Sequence, residues 1–284
     1  EGSQPSGELK KELRDRWGMK GPVLVAGGGG DNAASAVGIG AVAPGGGFVS
    51  LGTSGVLFVV NDRFLPNPES AVHAFCHALP GRWHQMSVML SAASCLRWVT
   101  QLVRAANEAE ILAEVEKLAQ PVRLAAPIFL PYLTGERTPH NDPTIQGSFI
   151  GLVPGTDRAT LVYSVIEGVA FGLADGLDAL RQAGTTVDTL SLVGGGSRSA
   201  YWAQLIADLL QVRLQTHTGG ETGAALGAAR LGQLACGSPE AAVCTRPPVS
   251  RTFEPSAPGR ALLADRLGRF RALYRAVAPI FRGE

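Results

Sequence analysis
Apolar and polar positions change period repeatedly along this chain of 284 residues. Brief runs of Val, Leu, Phe and Ala at 23–26, 48–49 and 56–60 are too short for helices, end at glycines or turns, and predict strands. Pro66 and Pro68 mark a loop, after which strands are expected at 71–79 and 83–86 around a Pro-Gly turn. Apolar residues then recur at helical spacing through 88–105 and 108–118. The stretch 134–143 holds two prolines with Asn and Asp, chemistry that favours turns, so it is expected to be a loop. Thr156 and Asp157 can cap a long helix running to 184. Strands at 189–193 and 212–216 flank a helix at 199–210, and a small-residue helix follows over 222–234. The Pro-rich stretch 236–258 is expected as loop, and 259–281 as an Arg-rich amphipathic helix. A short polar helix at 8–17 stands ahead of the first strand, which is expected to belong to the core. Strands alternating with helices predict an α/β fold with a largely parallel sheet.

Three of the predicted strands end in glycine-rich turns: Gly27-Gly28-Gly29-Gly30-Asp31-Asn32, Gly52-Thr53-Ser54-Gly55, and Gly194-Gly195-Gly196-Ser197. Glycine lets backbone N–H groups approach an anion closely, because no Cβ intervenes. Sheets of this class bind ligands at the carboxyl ends of their strands, where all three turns are expected. Tight strand–helix packing would explain one such turn; three together point to a ligand. Asp31 stands at the entry of a small-residue helix. It can satisfy free N–H groups as a cap, and the helix start favours its ionised form, which a general base requires. Asn32 can offer amide hydrogen bonds to a polyol. A carboxylate beside an anion-cradling turn is the minimum equipment for moving a phosphoryl group onto a hydroxyl.

Other chemistries fit less well. Residues 28–33 match G-x-G-x-x-[GA], but the place about twenty residues on, where a dinucleotide fold carries an acidic ribose clamp, falls in Leu51-Gly52-Thr53. His73, Cys76, His77 and His84 follow no common zinc spacing, and a strand would point His73 and Cys76 to opposite faces. Glu136, Arg137 and His140 read as a mutually stapled loop. Glu167, on an apolar helix face, needs a partner if buried and reads as structural. The 25 basic and 24 acidic side chains nearly balance, with no basic stripe to suggest nucleic acid. No apolar stretch reaches membrane-spanning length, since Arg97, Arg104 and the glycines interrupt the longest candidates. The four cysteines, too sparse for a disulfide framework, read as reduced thiols and predict a cytoplasmic protein.

These segments together resemble the FGGY family of carbohydrate kinases. The resemblance rests on residues 25–34, 50–55, 68–84 and 131–141, on Gly147–Leu152 continuing to Ile166-Glu167-Gly168, and on 193–202 and 223–229. It implies an actin/hexokinase-like, ribonuclease-H-like lobe with a central mixed sheet flanked by helices. It further implies ATP as phosphoryl donor, with Mg2+ held mostly through ATP and a preceding N-terminal lobe. D-xylulose is the expected acceptor, with ribulose, glycerol or gluconate as alternatives; a non-catalytic nucleotide-binding fragment is another. By the same resemblance Asp31 is the catalytic base and Asn32 contacts the sugar. Gly52 and Thr53 face the β and γ phosphates, and Gly195, Gly196 and Ser197 lie against the α-phosphate and ribose. Gly155, Ser199 and Ala200 are candidates for the adenine pocket. Nothing here matches the first lobe, so residues 1–20 are expected as a linker with a short helix and 21–284 as the C-terminal domain, with a homodimer possible through its apolar helices.

Overall fold
The computed structural model describes residues 1–219 and 223–283. The chain opens with β1 (Pro5–Glu8), α1 (Lys11–Arg16), β2 (Leu24–Ala26) and α2 (Asp31–Gly38). Next come β3 (Gly47–Leu51), β4 (Gly55–Asn61), β5 (His73–Cys76), β6 (Trp83–Met89), α3 (Ala93–Leu102), α4 (Glu108–Val115) and α5 (Gln120–Leu124). The second half runs β7 (Ile128–Leu130), β8 (Ser148–Ile150), α6 (Arg158–Gln182), β9 (Thr189–Val193), α7 (Ala200–Leu210) and β10 (Arg213–His217). It closes with α8 (Gly223–Ala235), α9 (Glu240–Val243), β11 (Val249–Phe253) and α10 (Ala257–Arg282). The expected helix start at Thr222 lies outside the described residues.

Seven strands form the main sheet in the order β11-β10-β9-β3-β4-β6-β5. β3, β9 and β10 are parallel neighbours, while β4 is antiparallel to both β3 and β6. The sheet is therefore mixed, as a ribonuclease-H-like lobe requires, and not the largely parallel one that simple alternation suggested. The turn after β3 is a tight reversal of three residues, which only an antiparallel neighbour can accept. β2 lies outside this sheet: it pairs antiparallel with β1, and Leu24 and Val25 remain 40% and 44% exposed. The expected core strand is thus half of an exposed ribbon, and residues 1–20 carry β1 as well as α1.

α6 is the spine of the interior. Twenty of its residues are buried, and it packs under β4, β6 and β7 and beside α3, α4 and α7. Its N-cap is Asp157, whose side chain accepts from Thr160 N at 2.8 Å. By length and composition α6 could cross a bilayer, contrary to the sequence expectation, yet 94% of its apolar window is enclosed in the domain. Glu167 on this helix is fully buried and paired with Arg266 of α10 through Nε at 2.7 Å; Tyr163 donates to the same carboxylate at 2.9 Å. Burial pushes the Glu167 carboxyl pKa up, and the Arg266 and Tyr163 bonds oppose that shift. Arg266 also donates to the carbonyls of Leu124, Ala126 and Pro127. Glu167 has its partner and serves the packing.

Two boundaries moved for identifiable reasons. β6 continues through Val88 and Met89, which pair with Val56 and Gly55, so the helix expected from 88 starts only at Ala93. β11, in the stretch expected as loop, adds an exposed antiparallel edge beside β10.

Candidate active site
Backbone contact between two glycine turns builds the floor of the cleft. β3 and β9 are parallel neighbours, so their carboxyl ends lie side by side. Gly194 follows β9 with φ +88°, and a Cβ there would stand 2.7 Å from Leu51 backbone atoms and 3.0 Å from Gly52 N. Only glycine fits both the angle and the gap. The Gly52–Thr53 turn is anchored from behind. Ala93 N donates to Gly52 O at 2.9 Å, and Thr53 O receives Ala92 N at 2.9 Å and Ser94 Oγ at 2.7 Å. The carbonyls thus point toward the start of α3, while the Thr53 side chain is exposed.

The third turn brings Asp31 to the same region. Asp31 is the first residue of α2 and is exposed; the N-cap, Gly30, supplies no side-chain hydrogen bond. One carboxylate oxygen accepts Asn32 N at 2.8 Å and Asn32 Nδ2 at 3.2 Å, so the group is oriented by its neighbour while open to solvent. The rest of α2 is fixed by α8: Gly227 packs against the Ala34 carbonyl with no room for a Cβ. Arg230 donates to the carbonyls of Val37 and Gly38, both at 2.9 Å, satisfying the far end of the helix.

Two adjoining cavities open along these turns. One, of about 560 Å³, lies between α3, α4 and the turn after β9; Ala93, Leu96, Arg97, Glu108, Ala109, Leu112, Ala113, Glu116, Gly195, Gly196, Arg198, Ser199 and Ala200 line it. The other, of about 380 Å³, lies between α2, β3, β9 and the start of α8, lined among others by Asn32, Ser50, Gly194, Gly195 and Arg198. Gly195 and Arg198 border both. Asn32, Gly195 and Gly196 line these cavities, with Ser199 and Ala200 on the wall of the larger one, whereas Asp31, Gly52 and Thr53 line neither. Ser197 does not line either cavity: its Oγ donates to Gly194 O at 2.7 Å and closes the turn. Gly155 is also absent from both linings and sits in an exposed loop ahead of α6.

The α4 wall was missed in the sequence, although a signal was there. Ala109 and Ala113 stand four apart with Leu112 and Glu116, a small-residue helical face that leaves room for a flat ligand. His84 and His77 pack as core, His84 stacking on Phe58 at 4.5 Å and His77 meeting the same ring edge-on at 6.1 Å, while His73 is half-buried and Cys76 exposed. Burial first, then neighbouring charge, pushes the His77 and His84 imidazoles down to about 4. Among the described residues no group of three or more His, Cys, Asp or Glu could hold a metal. The loop at 134–143 staples α10. His140 stacks on Tyr274 at 3.6 Å, and Asp142 accepts from Thr144, Ile145, Tyr274 and Arg282. Burial alone would raise the Asp142 carboxyl; those hydrogen bonds hold it below the usual range.

Known proteins resemble this chain over most of its length. The C-terminal domain model of the FGGY family of carbohydrate kinases matches residues 47–236. Xylulose kinase of Escherichia coli K12 is 46% identical over 285 residues, covering 99% of this chain and 58% of that protein. Xylulose kinase of Klebsiella pneumoniae is 50% identical over 236 residues, 83% of this chain and 48% of that protein. A solved xylulose kinase from Brucella ovis superposes with TM-score 0.92 at 50% identity, covering 99% of this chain and 57% of that one. The chain spans about half the length of the relatives it matches.

Proposed function
The chain belongs to the FGGY family of carbohydrate kinases, as its C-terminal domain, and from that premise we propose that it is the base- and nucleotide-bearing lobe of a kinase converting D-xylulose and ATP to D-xylulose 5-phosphate and ADP. The observation that carries this reading is the convergence of three glycine turns on one cleft. Gly194 is packed on Leu51 and Gly52, and Asn32 shares a cavity with Gly194 and Gly195. The relatives named above are xylulose kinases, which favours that sugar.

In this reading the sugar's terminal hydroxyl lies beside Asp31, which takes its proton. The hydroxyl oxygen bonds to the γ-phosphorus as the bond to the β–γ bridging oxygen breaks, and the electron pair leaves with ADP. Asn32 steadies the sugar and the Asp31 carboxylate together. Gly52 and Thr53 border the β and γ phosphates, and Gly195 and Gly196 border the α-phosphate and ribose, with the base against α4. Phosphoryl transfer of this kind is dominated by alignment and charge stabilisation, with the base adding about 10²–10⁴-fold. The described residues form no metal-holding set, so Mg2+ belongs to this reading as the nucleotide's counter-ion and no step is assigned to it. A preceding lobe would supply the rest of the sugar site and close over it, excluding water. The four cysteines are free thiols, in keeping with a cytoplasmic enzyme.

Since the chain spans about half of its relatives, the second reading is a lobe that binds nucleotide without turnover on its own. ADP release is to be measured with D-xylulose, ribulose, glycerol and gluconate, for this chain alone and within its full-length protein. D-xylulose-dependent ADP is expected from the full-length protein and little from the chain alone. A full-length protein that uses another of these sugars in preference would refute the assigned acceptor.

A further inference from the structure
The charge around the two cavities is uneven, and that unevenness gives the nucleotide a direction. Resting on the nucleotide-binding reading above, we infer that Arg198 is the cation on this lobe that holds the polyphosphate, where the larger cavity opens into the smaller. Arg198 borders both cavities. It is also the charged side chain among the described residues lining the smaller one. The larger cavity carries Glu108 and Glu116 on its α4 wall, opposite the glycine turn. Two carboxylates there repel a polyphosphate, whereas an aromatic base fits among Leu96, Leu112 and the small Ala109 and Ala113. The phosphates accordingly point away from α4, past Gly195 and Arg198, toward the cavity lined by Asn32.

The glycine turns present backbone dipoles to an anion but no full charge. A triphosphate crossing them needs a cation at the crossing point, and a guanidinium offers a planar fork of donors that matches two phosphate oxygens. Arg198 is set there by backbone geometry. It ends the 3-10 turn Gly195–Arg198, whose closure depends on Ser197 bonding to Gly194 O and on Gly196 fitting against Leu51 and Trp202. Arg97, the other basic residue of the larger cavity, does not line the smaller one and stands on α3. Arg198 is exposed, so solvent screens its charge and the effect is moderate.

Calorimetric titration of the full-length protein with ATP and with adenosine tests the assignment, using wild type, Arg198→Met, Arg198→Lys and Arg97→Met. The expected result is ATP affinity lowered about 10-fold in Arg198→Met, with adenosine affinity changed less than about 2-fold. Arg198→Lys should recover most of the loss, and Arg97→Met should discriminate less between the two ligands. In turnover, the same loss should appear in KM for ATP more than in kcat. Arg198→Gln replaces Arg198→Met if the latter melts early. Equal weakening of ATP and adenosine, or none, overturns the role of Arg198 while wild-type binding leaves the nucleotide reading standing. A wild-type protein that binds neither ligand overturns both.

Discussion
At the cleft, Asp31 stands exposed in the first turn of α2 and is bonded to Asn32. Around α6, Glu167 is fully buried and receives Arg266 and Tyr163, while Asp142 and Glu136 are likewise closed in by donors. Burial pushes the Glu167 and Glu136 carboxyls of this second region up, and hydrogen bonds hold that of Asp142 down. Perturbed titration is often a mark of a functional site, but ion-pair networks in a core produce it as well. Here the buried groups are spoken for by fixed partners, and none borders either cavity of the cleft. Asp31 lines neither cavity itself but is exposed beside Asn32, which lines the smaller one; in the proposed reading that openness lets it meet the proton of an arriving hydroxyl.

Asp31→Asn gives the sharpest break between the two regions. In the full-length protein, turnover should fall about 10²–10⁴-fold, with ATP affinity and thermal stability close to wild type. Steady-state kinetics alongside nucleotide titration reads both quantities. If turnover stays within a few-fold, or nucleotide binding is lost instead, Asp31 is not the base.

The α6 region should respond in the opposite way, through stability. Arg266→Met leaves the Glu167 carboxylate buried without its cation and strands the carbonyls of Leu124, Ala126 and Pro127. Breaking such a pair costs about 3–5 kcal/mol. Urea unfolding should show that loss, and the folded fraction should still bind nucleotide. Adding Glu167→Met to the same protein should restore part of it, since the stranded carboxylate is gone and the stranded carbonyls are not. A single variant within about 1 kcal/mol of wild type would mean the pair is not holding α10 to α6.

How far each region could be read in the sequence follows from the range of its interactions. The start of α2 at Asp31, the cap at Asp157 and the turn after β9 depend on residues adjacent in the chain, so glycines, caps and periodicity locate them closely. Whether β3 and β4 run antiparallel depends on a three-residue turn and was open to misreading as a parallel crossover. β2 looked like a core strand because Val23–Ala26 is apolar; its pairing with β1 at the edge is set by tertiary contacts that periodicity does not carry. The α4 wall joins the Gly195 turn across about ninety residues of chain, and Asp142 meets Arg282 across a longer gap. Long-range neighbours of that kind have no local sequence signature. Ser197 illustrates the opposite limit: its place in the turn was correct, but a hydroxyl on a glycine turn can face the ligand or close the loop, and only coordinates distinguish them.

The smallest effect is one of pH, and Glu136 produces it. This carboxyl is 3% exposed and accepts Leu90 N at 3.0 Å and Arg137 N at 2.7 Å. Burial pushes it up to about 7, with the two backbone bonds pulling the other way. Between pH 4.5 and 7 the folded state therefore holds this proton more often than the unfolded chain, whose carboxyl has already ionised. Stability contributed by Glu136 is present at the acid end and declines as pH rises through that window, by about 3 kcal/mol. His77, His84 and His140, each pushed down to about 4, act with the opposite sign, because the unfolded chain takes up their protons first as pH falls below 6.5. The net curve hides the two contributions, so the measurement is a difference. Glu136→Gln keeps a carbonyl oxygen for the two backbone donors and removes the titration. Its stability relative to wild type should rise from pH 5 to pH 8, and a difference that stays flat over that range would mean Glu136 ionises in the folded domain as easily as in water.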